Sequence, residues 1–209
     1  ENDGAIWDIS TASDRLADVH RWFETPEHLE FALKCVQHSL TIREQLMKSI
    51  AQYNTPEKIR KYILDQESAS GLKISREPTL EESIAVIHSI RFQYERGICV
   101  THKDISEILI DLKRYDEALK HMQETIRLRE QILSRNENKI SMDGENELLE
   151  LAEDYRTVAS LLQKMGKAEY LHEAMELCMH SLQLCEQVAK TETSTEVTNA
   201  LCDSKISLA

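Results

Sequence analysis

The chain has 209 residues, of which 41% are hydrophobic and 30% charged, with only 5 Gly and 3 Pro. This composition excludes fibrous and low-complexity chains and is typical of a helix-rich globular protein. The 37 acidic residues outnumber the 25 basic ones and give a net charge of −12. Such a charge disfavours nucleic acid and anionic membrane surfaces as partners.

The cysteines, the lack of a long apolar run and the first residues indicate the compartment in which the protein lies. The 5 Cys are odd in number and form no CxxC pair, which is typical of buried free thiols in a reducing environment. The sequence has no run of 18 apolar residues, so we expect no membrane insertion. It starts at Glu without the features of a signal peptide, and we expect a cytoplasmic protein that is either processed or a piece of a longer chain.

Helix-start signals divide the chain into hairpins. Thr25 precedes Pro26 and an acid, which places a capping hydroxyl before proline at the first helical position. Thr79 and Glu82 form a capping box before another apolar helix. From these signals and the loops between them, we expect an N-terminal extension at 1–8, hairpins at about 9–52, 56–98, 98–135 and 146–190, and a C-terminal segment at 191–209 that is flexible or depends on a partner.

A short amphipathic phrase recurs along the chain. TIREQL at 41–46 returns as RLREQIL at 127–133 and as QLCEQV at 183–188. Residues around the phrase match at offsets of 50, 86 and 142, so that Val36 returns as Val86. A hairpin of two amphipathic helices cannot bury its apolar faces alone, and stacked neighbours form one continuous core. The phrase therefore predicts the second helix of each hairpin, with its apolar residues inside and its Arg-Glu-Gln facing water.

The segment LIDLKRYDEALKHMQETIRLREQIL (109–133) resembles a tetratricopeptide repeat, with Tyr115 and Ala118 at the family's aromatic and small-residue positions. The resemblance covers about 9–190, and the ending IRLREQIL is similar to the longer repeats of kinesin light chains. Lys113 stands where the family has a turn glycine. The resemblance implies an all-α fold, a right-handed superhelical stack of about four antiparallel hairpins.

The family binds its partners through a concave groove lined by the first helix of each hairpin. The resemblance implies that the groove of this chain contains both signs of charge, without the basic clamp that holds a terminal carboxylate in chaperone-binding members. The residues at those positions are Asp14, Asp18, Arg21, Lys103, Glu107, Arg156, Ser160 and Gln163. A solvated helix face explains the same charges equally well.

Motifs for catalysis and for cofactor or metal binding are absent from the sequence. There is no GxSxG, P-loop, GxGxxG, HExxH or paired CxxC, so we expect no catalytic, cofactor-binding or metal-ligating residues and no enzyme activity. The leading interpretation is an adaptor or scaffold that binds a peptide or helix of another protein, within a cargo or cytoskeletal assembly. The alternatives are a permanently assembled structural subunit, for example of a flagellar axoneme complex, and an accessory helical region of an enzyme. The oligomeric state stays open.

Overall fold

The computed structural model describes residues 3–70, 79–136, 142–190, 197–201 and 203, and in these residues the only regular structure is helix. No strand occurs in this part of the chain. The helices are α1 (Asp3–Arg21), α2 (Pro26–Ala51), α3 (Pro56–Ser70), α4 (Leu80–Asp111), α5 (Tyr115–Asn136), α6 (Met142–Met165) and α7 (Tyr170–Val188). The all-α prediction is confirmed.

The chain forms two compact units, Glu1–Thr101 and His102–Ala209. In the N-terminal unit, α1 packs against α2, and apolar residues of α2, α3 and α4 share one core that includes Ile50, Tyr62 and Ile87. In the C-terminal unit, α6 packs against both α5 and α7. Each unit thus contains the antiparallel helix pairs that the repeats predict.

The boundary that the sequence predicts between two hairpins, at 98, falls inside helix α4. It runs without a break from Leu80 to Asp111, because this stretch has no proline and its one glycine, Gly97, does not stop it. A methyl group on Gly97 would overlap the Trp7 indole at Cη2 and lie 3.3 Å from Cζ2. Gly97 therefore allows α1 to approach α4 closely. Because α4 is continuous, the second and third predicted hairpins share this one helix.

The predicted helix starts have the expected hydrogen bonds. The amide of His28 donates to Thr25 Oγ1 at 3.4 Å. In the capping box, the Glu82 amide donates to Thr79 Oγ1 at 3.2 Å and the Thr79 amide donates to Glu82 Oε2 at 2.7 Å. Helix α1, in contrast, begins at Asp3 within the predicted extension, where Tyr62 of α3 donates to Asp3 Oδ2 at 2.8 Å.

Each of three hairpin turns has a residue in the left-handed conformation. These residues are Glu24 (φ 49), Lys113 (φ 60) and Gly166 (φ 68). At the second turn the Arg114 amide donates to the Leu109 carbonyl at 2.8 Å, which is the longer hydrogen bond of a Schellman motif. Lys113 thus takes the conformation that the glycine of a repeat normally provides, at a steric cost that glycine does not have.

The residues packed inside the hairpins repeat along the second helices. Ala32, Ala118 and Ala174 are all buried, and so are Val36 and its counterparts in α5 and α7. Close helix packing requires small residues where two axes approach within about 8 to 10 Å. The offsets of 86 and 142 are therefore confirmed by burial.

The offset of 50 for the second copy is wrong by one residue. Val86, which this offset aligns with buried Val36, is exposed, whereas Ile87 is buried. Ser83 is also buried and stands 51 residues after Ala32, since 83 − 32 = 51. A shift of one residue rotates a side chain by about 100° around the helix axis. Because this copy matches the others at few residues, the alignment at an offset of 50 assigns the wrong residues to its buried face.

Part of the predicted C-terminal segment packs on the C-terminal unit. Residues 197–201 are helical, and Val197 is buried in a cluster with Leu149 of α6 and Cys185 and Val188 of α7. Residues 191–196, 202 and 204–209, on which the rest of that prediction falls, lie outside the described residues.

Candidate functional site

The arginine of the repeated phrase is buried, although the sequence predicts that it faces water. Arg43 and Arg129 are 86 residues apart in equivalent positions, and both are buried, whereas Glu44 and Glu130 next to them are exposed. A guanidinium needs carboxylate or carbonyl partners when it is removed from water. Both arginines have such partners on neighbouring helices.

Arg129 is the centre of an ion network between α5 and α6. Its Nε donates to Asp154 Oδ2 at 2.7 Å, its Nη1 donates to Glu147 Oε2 at 2.6 Å, and its Nη2 lies 3.5 Å from Glu150 Oε2. Arg129, Glu147 and Asp154 are at most 1% exposed, while Glu150 reaches the surface. Burial raises the pKa of Asp154 to about 6 even though the Arg129 charge favours the carboxylate.

Arg43 connects α2 with α1 and α4 in the N-terminal unit. Its Nη2 lies 2.6 Å from Asp14 Oδ2, and its Nη1 donates to the Gly97 carbonyl at 3.0 Å and to Thr101 Oγ1. The guanidinium also lies over the Trp7 ring, 4.8 Å from its centroid. Asp14, a predicted groove residue, is therefore engaged inside its own unit.

In the N-terminal unit, the predicted groove residues have different environments. Burial raises the pKa of Asp14, against the opposing effects of Ser39 and Arg43. Asp18 is exposed and Arg21 is half-buried. Of these three, Asp18 is the residue most open to a ligand, and Asp14 mainly holds α1 against α2.

In the C-terminal unit, Lys103 and Arg156 bond to the chain itself. Lys103 Nζ donates to Glu153 Oε1 at 2.8 Å, which joins the end of α4 to α6. Burial disfavours the Lys103 ammonium, but the hydrogen bond and charge of Glu153 outweigh it and raise the pKa of Lys103. Arg156 Nη1 donates to Ser181 Oγ of α7 at 3.3 Å.

The other three predicted groove residues of this unit are more open. Ser160 and Gln163 of α6 are exposed, and Glu107 of α4 is half-buried. In contrast, the charged side chains of Asp14, Lys103 and Arg156 contact neighbouring helices of their own units and are less open to a ligand.

A histidine pair lies between α4 and α5. The Nδ1 atoms of His102 and His121 are 2.8 Å apart, so one ring donates and the other accepts, and protonation of both would remove the acceptor. Burial and the neighbouring His121 lower the pKa of His102 to about 4, and burial also lowers the pKa of His121. This pair is neutral at physiological pH.

The His, Cys, Asp and Glu side chains that the structure describes form no metal cluster. No group of three or more His, Cys, Asp or Glu side chains could hold a metal ion in those ranges. Cys35, Cys99, Cys178 and Cys185 are not joined in disulfide bonds, and burial raises the pKa of the Cys35 and Cys178 thiols. Among the described helices, none is long and apolar enough to cross a membrane.

Residues 104–136, which comprise the end of α4 and all of α5, match the tetratricopeptide repeat family. This stretch of 33 residues is similar to a tetratricopeptide repeat. Its Ala118 is fully buried and Lys113 takes the turn conformation, as the repeat requires. No curated protein matches the sequence.

Two solved structures resemble the chain at 15% identity. One is the de novo designed helical repeat protein DHR64, with 99% of this chain and 94% of that chain covered and a TM-score of 0.45. The other is the DHF79 filament, with 97% of each chain covered and a TM-score of 0.43. The similarity to a tetratricopeptide repeat comes from the sequence match at 104–136 and not from these structures.

Exposed apolar residues on α1 and α7 were not anticipated as functional. Ile9, Leu16 and Val19 follow one another along α1, and Leu171 and Met175 lie one turn apart on α7. The signal that could have found them is their alignment across the repeats, because the equivalents of the α1 residues in α6 are buried and those of the α7 residues in α5 are half-buried.

Proposed function

We propose that the protein is a non-catalytic interaction module that holds a peptide or helix of another protein in a groove lined by the first helices of its hairpins. The observation that carries the proposal is the tetratricopeptide repeat at 104–136, a fold that presents helix faces to other proteins. A cargo or cytoskeletal assembly in the cytoplasm is the proposed setting, on the resemblance of the repeats to those of kinesin light chains.

The polar residues of α4 and α6 support a preorganised surface in the C-terminal unit. Glu153 already holds Lys103 in place, and Ser181 already holds Arg156. These two long side chains therefore lose less conformational entropy when a ligand binds. Ser160, which is exposed on α6, adds a short polar side chain that leaves room for a ligand. Such a surface suits a mixed polar and apolar protein segment better than a bare carboxylate terminus.

The charge of the chain supports protein over nucleic acid as the partner. Asp14, Asp18 and Glu107 are among the predicted groove residues, and the whole chain has a net charge of −12. Phosphate backbones require clustered Lys and Arg, because neutralisation of phosphates provides most of their affinity. We therefore propose a protein ligand.

The test changes an exposed groove residue that does not hold the fold together. Reversal of Lys103 and Arg156 would also break the contacts with Glu153 and Ser181, so Ser160→Arg is the better variant. Cross-linking and mass spectrometry on the protein captured from its native cell would identify a partner segment, and calorimetry with that synthetic segment would measure binding. Ser160→Arg should weaken binding by about tenfold or more if this surface forms the contact.

Ser134→Arg is the matched control, because Ser134 is an exposed serine on the second helix of a hairpin. It adds the same charge and bulk and should leave binding unchanged. Equal affinities of Ser160→Arg and the unmodified protein would place the interface outside the groove and refute this proposal.

A permanently assembled structural subunit is the second candidate. The observation that favours it is the set of exposed apolar residues on α1 and α7, since soluble monomers rarely expose large contiguous apolar patches. A subunit of this kind would co-purify with its assembly at constant stoichiometry in high salt, whereas a transient groove ligand would dissociate.

A further inference from the structure

The turn between α1 and α2 has the same backbone hydrogen bond as two other hairpin turns. In each of them, the amide of the left-handed residue donates to the carbonyl three residues earlier. These hydrogen bonds run from Glu24 to Arg21 at 3.1 Å, from Lys113 to Ile110 at 2.9 Å and from Gly166 to Gln163 at 3.0 Å. The left-handed residues therefore align the three turns position by position.

The residue two positions before the left-handed one is charged in two of these turns and is a tryptophan in the first. Asp111 and Lys164 occupy this position in the later turns, and both are exposed. Trp22 occupies it in the first turn and is 88% exposed. The turn thus accepts a charged residue here, and its backbone does not require a tryptophan.

Phe31 of α2 shows the same contrast with the other hairpins. It directly precedes the buried alanine of α2, and the residues that precede the equivalent alanines of α5 and α7 are Glu117 and Glu173. Both glutamates are exposed, and Phe31 is 43% exposed. The repeat therefore does not require a large apolar side chain at this position either.

The aromatic rings at this end of the first hairpin are contiguous. The ring centroids of Phe31 and His20 lie 4.3 Å apart, and those of Phe23 and His28 lie 4.5 Å apart. The two histidines connect these pairs, with ring centroids 5.0 Å apart. We call Trp22, Phe23 and Phe31 the aromatic tip. The chain has only 2 Trp and 3 Phe, so most of these large apolar rings are exposed at this one place.

Packing of a neighbouring hairpin does not explain the aromatic tip. The hairpin of α6 and α7 has α5 packed on α6, and Lys164 and Glu173 nevertheless stay exposed. Met165, the counterpart of Phe23, packs against a cluster that includes residues of α5. A hairpin placed on α1 in the same way would therefore cover Phe23 at most and would leave the other two rings of the aromatic tip open.

The charges along the aromatic tip are all negative. Residues 22–31 include Glu24, Glu27 and Glu30 but no Lys or Arg, which gives a net charge of −3. The corresponding stretches of the other two turns, 111–117 and 164–173, have net charges of −1 and 0. All three glutamates are exposed. Such a surface attracts Lys and Arg of a partner and repels acidic proteins and anionic lipids.

We propose that the aromatic tip binds a segment of another protein in which apolar residues are flanked by Lys or Arg. Trp22 and Phe31 form the apolar contact, and tryptophan is among the residues that dominate the binding energy of protein interfaces. The ring face of an exposed tryptophan also attracts a cationic side chain. The three glutamates select a basic partner over an acidic one. These residues are distinct from the predicted groove residues, and the proposal does not depend on the groove.

The test begins with a display library of random dodecapeptides as the probe. The library is depleted on the variant Trp22→Lys/Phe31→Glu and then selected on the unmodified protein. This variant receives the residues that stand at the matching positions of the last turn, Lys164 and Glu173, so its turn should fold and its net charge is unchanged. The enriched peptides should contain apolar residues flanked by Lys or Arg.

Fluorescence anisotropy of the enriched peptides then tests the role of the acids. The variant Glu24→Gln/Glu27→Gln keeps the rings and should weaken binding by about tenfold at low salt, because two of the three carboxylates are lost. Added salt should weaken binding to the unmodified protein more than binding to this variant. Ser160→Arg should bind the peptides as the unmodified protein does, which separates this surface from the groove.

A transfer of the two rings to another turn is the matched control. In the background of Trp22→Lys/Phe31→Glu, the further substitutions Lys164→Trp and Glu173→Phe expose the same rings without the cluster of glutamates. This variant should not regain binding, and circular dichroism should show that all variants are folded. Vesicles of phosphatidylcholine and phosphatidylserine should not pellet the unmodified protein.

Four results would overturn the proposal. The first is a selection that enriches no peptide, and the second is an enriched set without an excess of Lys and Arg. The third is equal binding by the unmodified protein and either the glutamine variant or the ring-transfer variant. The fourth is vesicle binding that Trp22→Lys/Phe31→Glu abolishes, which would indicate a membrane surface. None of these results bears on the groove, whose test uses Ser160→Arg and a different ligand.

Discussion

Removal of the Arg129 guanidinium should destabilise the C-terminal unit more than the loss of any surface ion pair. Arg129→Ala leaves the carboxylates of Glu147 and Asp154 buried without their cation. Breaking one side of a buried pair costs about 3 to 5 kcal/mol, because the remaining charge stays out of water. We expect a loss in this range at pH 7.5.

The pH dependence of this loss follows from the pKa of Asp154. With Arg129 present, burial already raises that pKa to about 6, and without Arg129 it should rise further. At pH 5 the carboxyl of Asp154 is therefore largely protonated in both proteins, so the Arg129→Ala penalty should be smaller at pH 5 than at pH 7.5.

Urea unfolding followed by circular dichroism at the two pH values would measure both effects. Arg127→Ala is the control, since Arg127 lies two residues away and forms an exposed ion pair with Glu124 at 2.5 Å. Such a pair contributes less than about 0.5 kcal/mol. If Arg129→Ala costs no more than Arg127→Ala, or costs the same at both pH values, the buried-network argument is refuted.

Two further substitutions test the turns and the histidine pair. Lys113→Gly should stabilise the protein by about 0.5 to 1 kcal/mol in urea unfolding, because glycine takes a φ of 60 without steric cost, and a destabilised variant would contradict this. The pKa of His102 is lowered from 6.5 to about 4, so its contribution to stability is complete above pH 6.5 and is lost as the pH falls towards 4. His102→Leu should therefore reduce the change in stability across that pH window by about 3 kcal/mol relative to the unmodified protein. Asp154 contributes in the opposite direction, but it is present in both proteins. Parallel pH profiles of the two proteins would show that the fold does not hold His102 neutral.

Local signals in the sequence were enough to predict the helix starts and the inner alanines. The hydroxyls of Thr25 and Thr79 cap helices whose first residues lie within one turn, and such contacts depend on few other parts of the fold. Ala118 and Ala174 are recognisable because a close helix crossing excludes larger residues at a fixed place in each repeat. Short sequence patterns around these residues are therefore sufficient to predict these features.

Features that depend on a neighbouring hairpin could not be predicted in the same way. Arg129 stands directly before Glu130 and Gln131 and reads as a surface residue, but its burial depends on acids of α6 that lie 18 and 25 residues further along the chain. Gly97 lies inside the unbroken helix α4, and the reason for a glycine at this position is the Trp7 indole, which covers it from another helix. Among the predicted groove residues, Lys103 and Arg156 have long side chains whose partners only the packed helices reveal.

The ion network at Arg129 also bears on how similar hairpins find the right neighbour during folding. Related repeats within one chain compete for the same positions, and misassembly between neighbours is a characteristic failure of such proteins. At the offset of 142 that relates Ala17 to Ala159, the counterparts of Glu147 and Asp154 on α1 are Ala5 and Ala12. If α5 packed on this face of α1, the Arg129 guanidinium would therefore lose both buried carboxylates and keep only Asp8, the counterpart of Glu150. Burial of a cation that has lost its buried partners is costly, so this arrangement is disfavoured relative to the correct one. A costly buried charge thus makes the order of the hairpins unambiguous where their shapes alone would not.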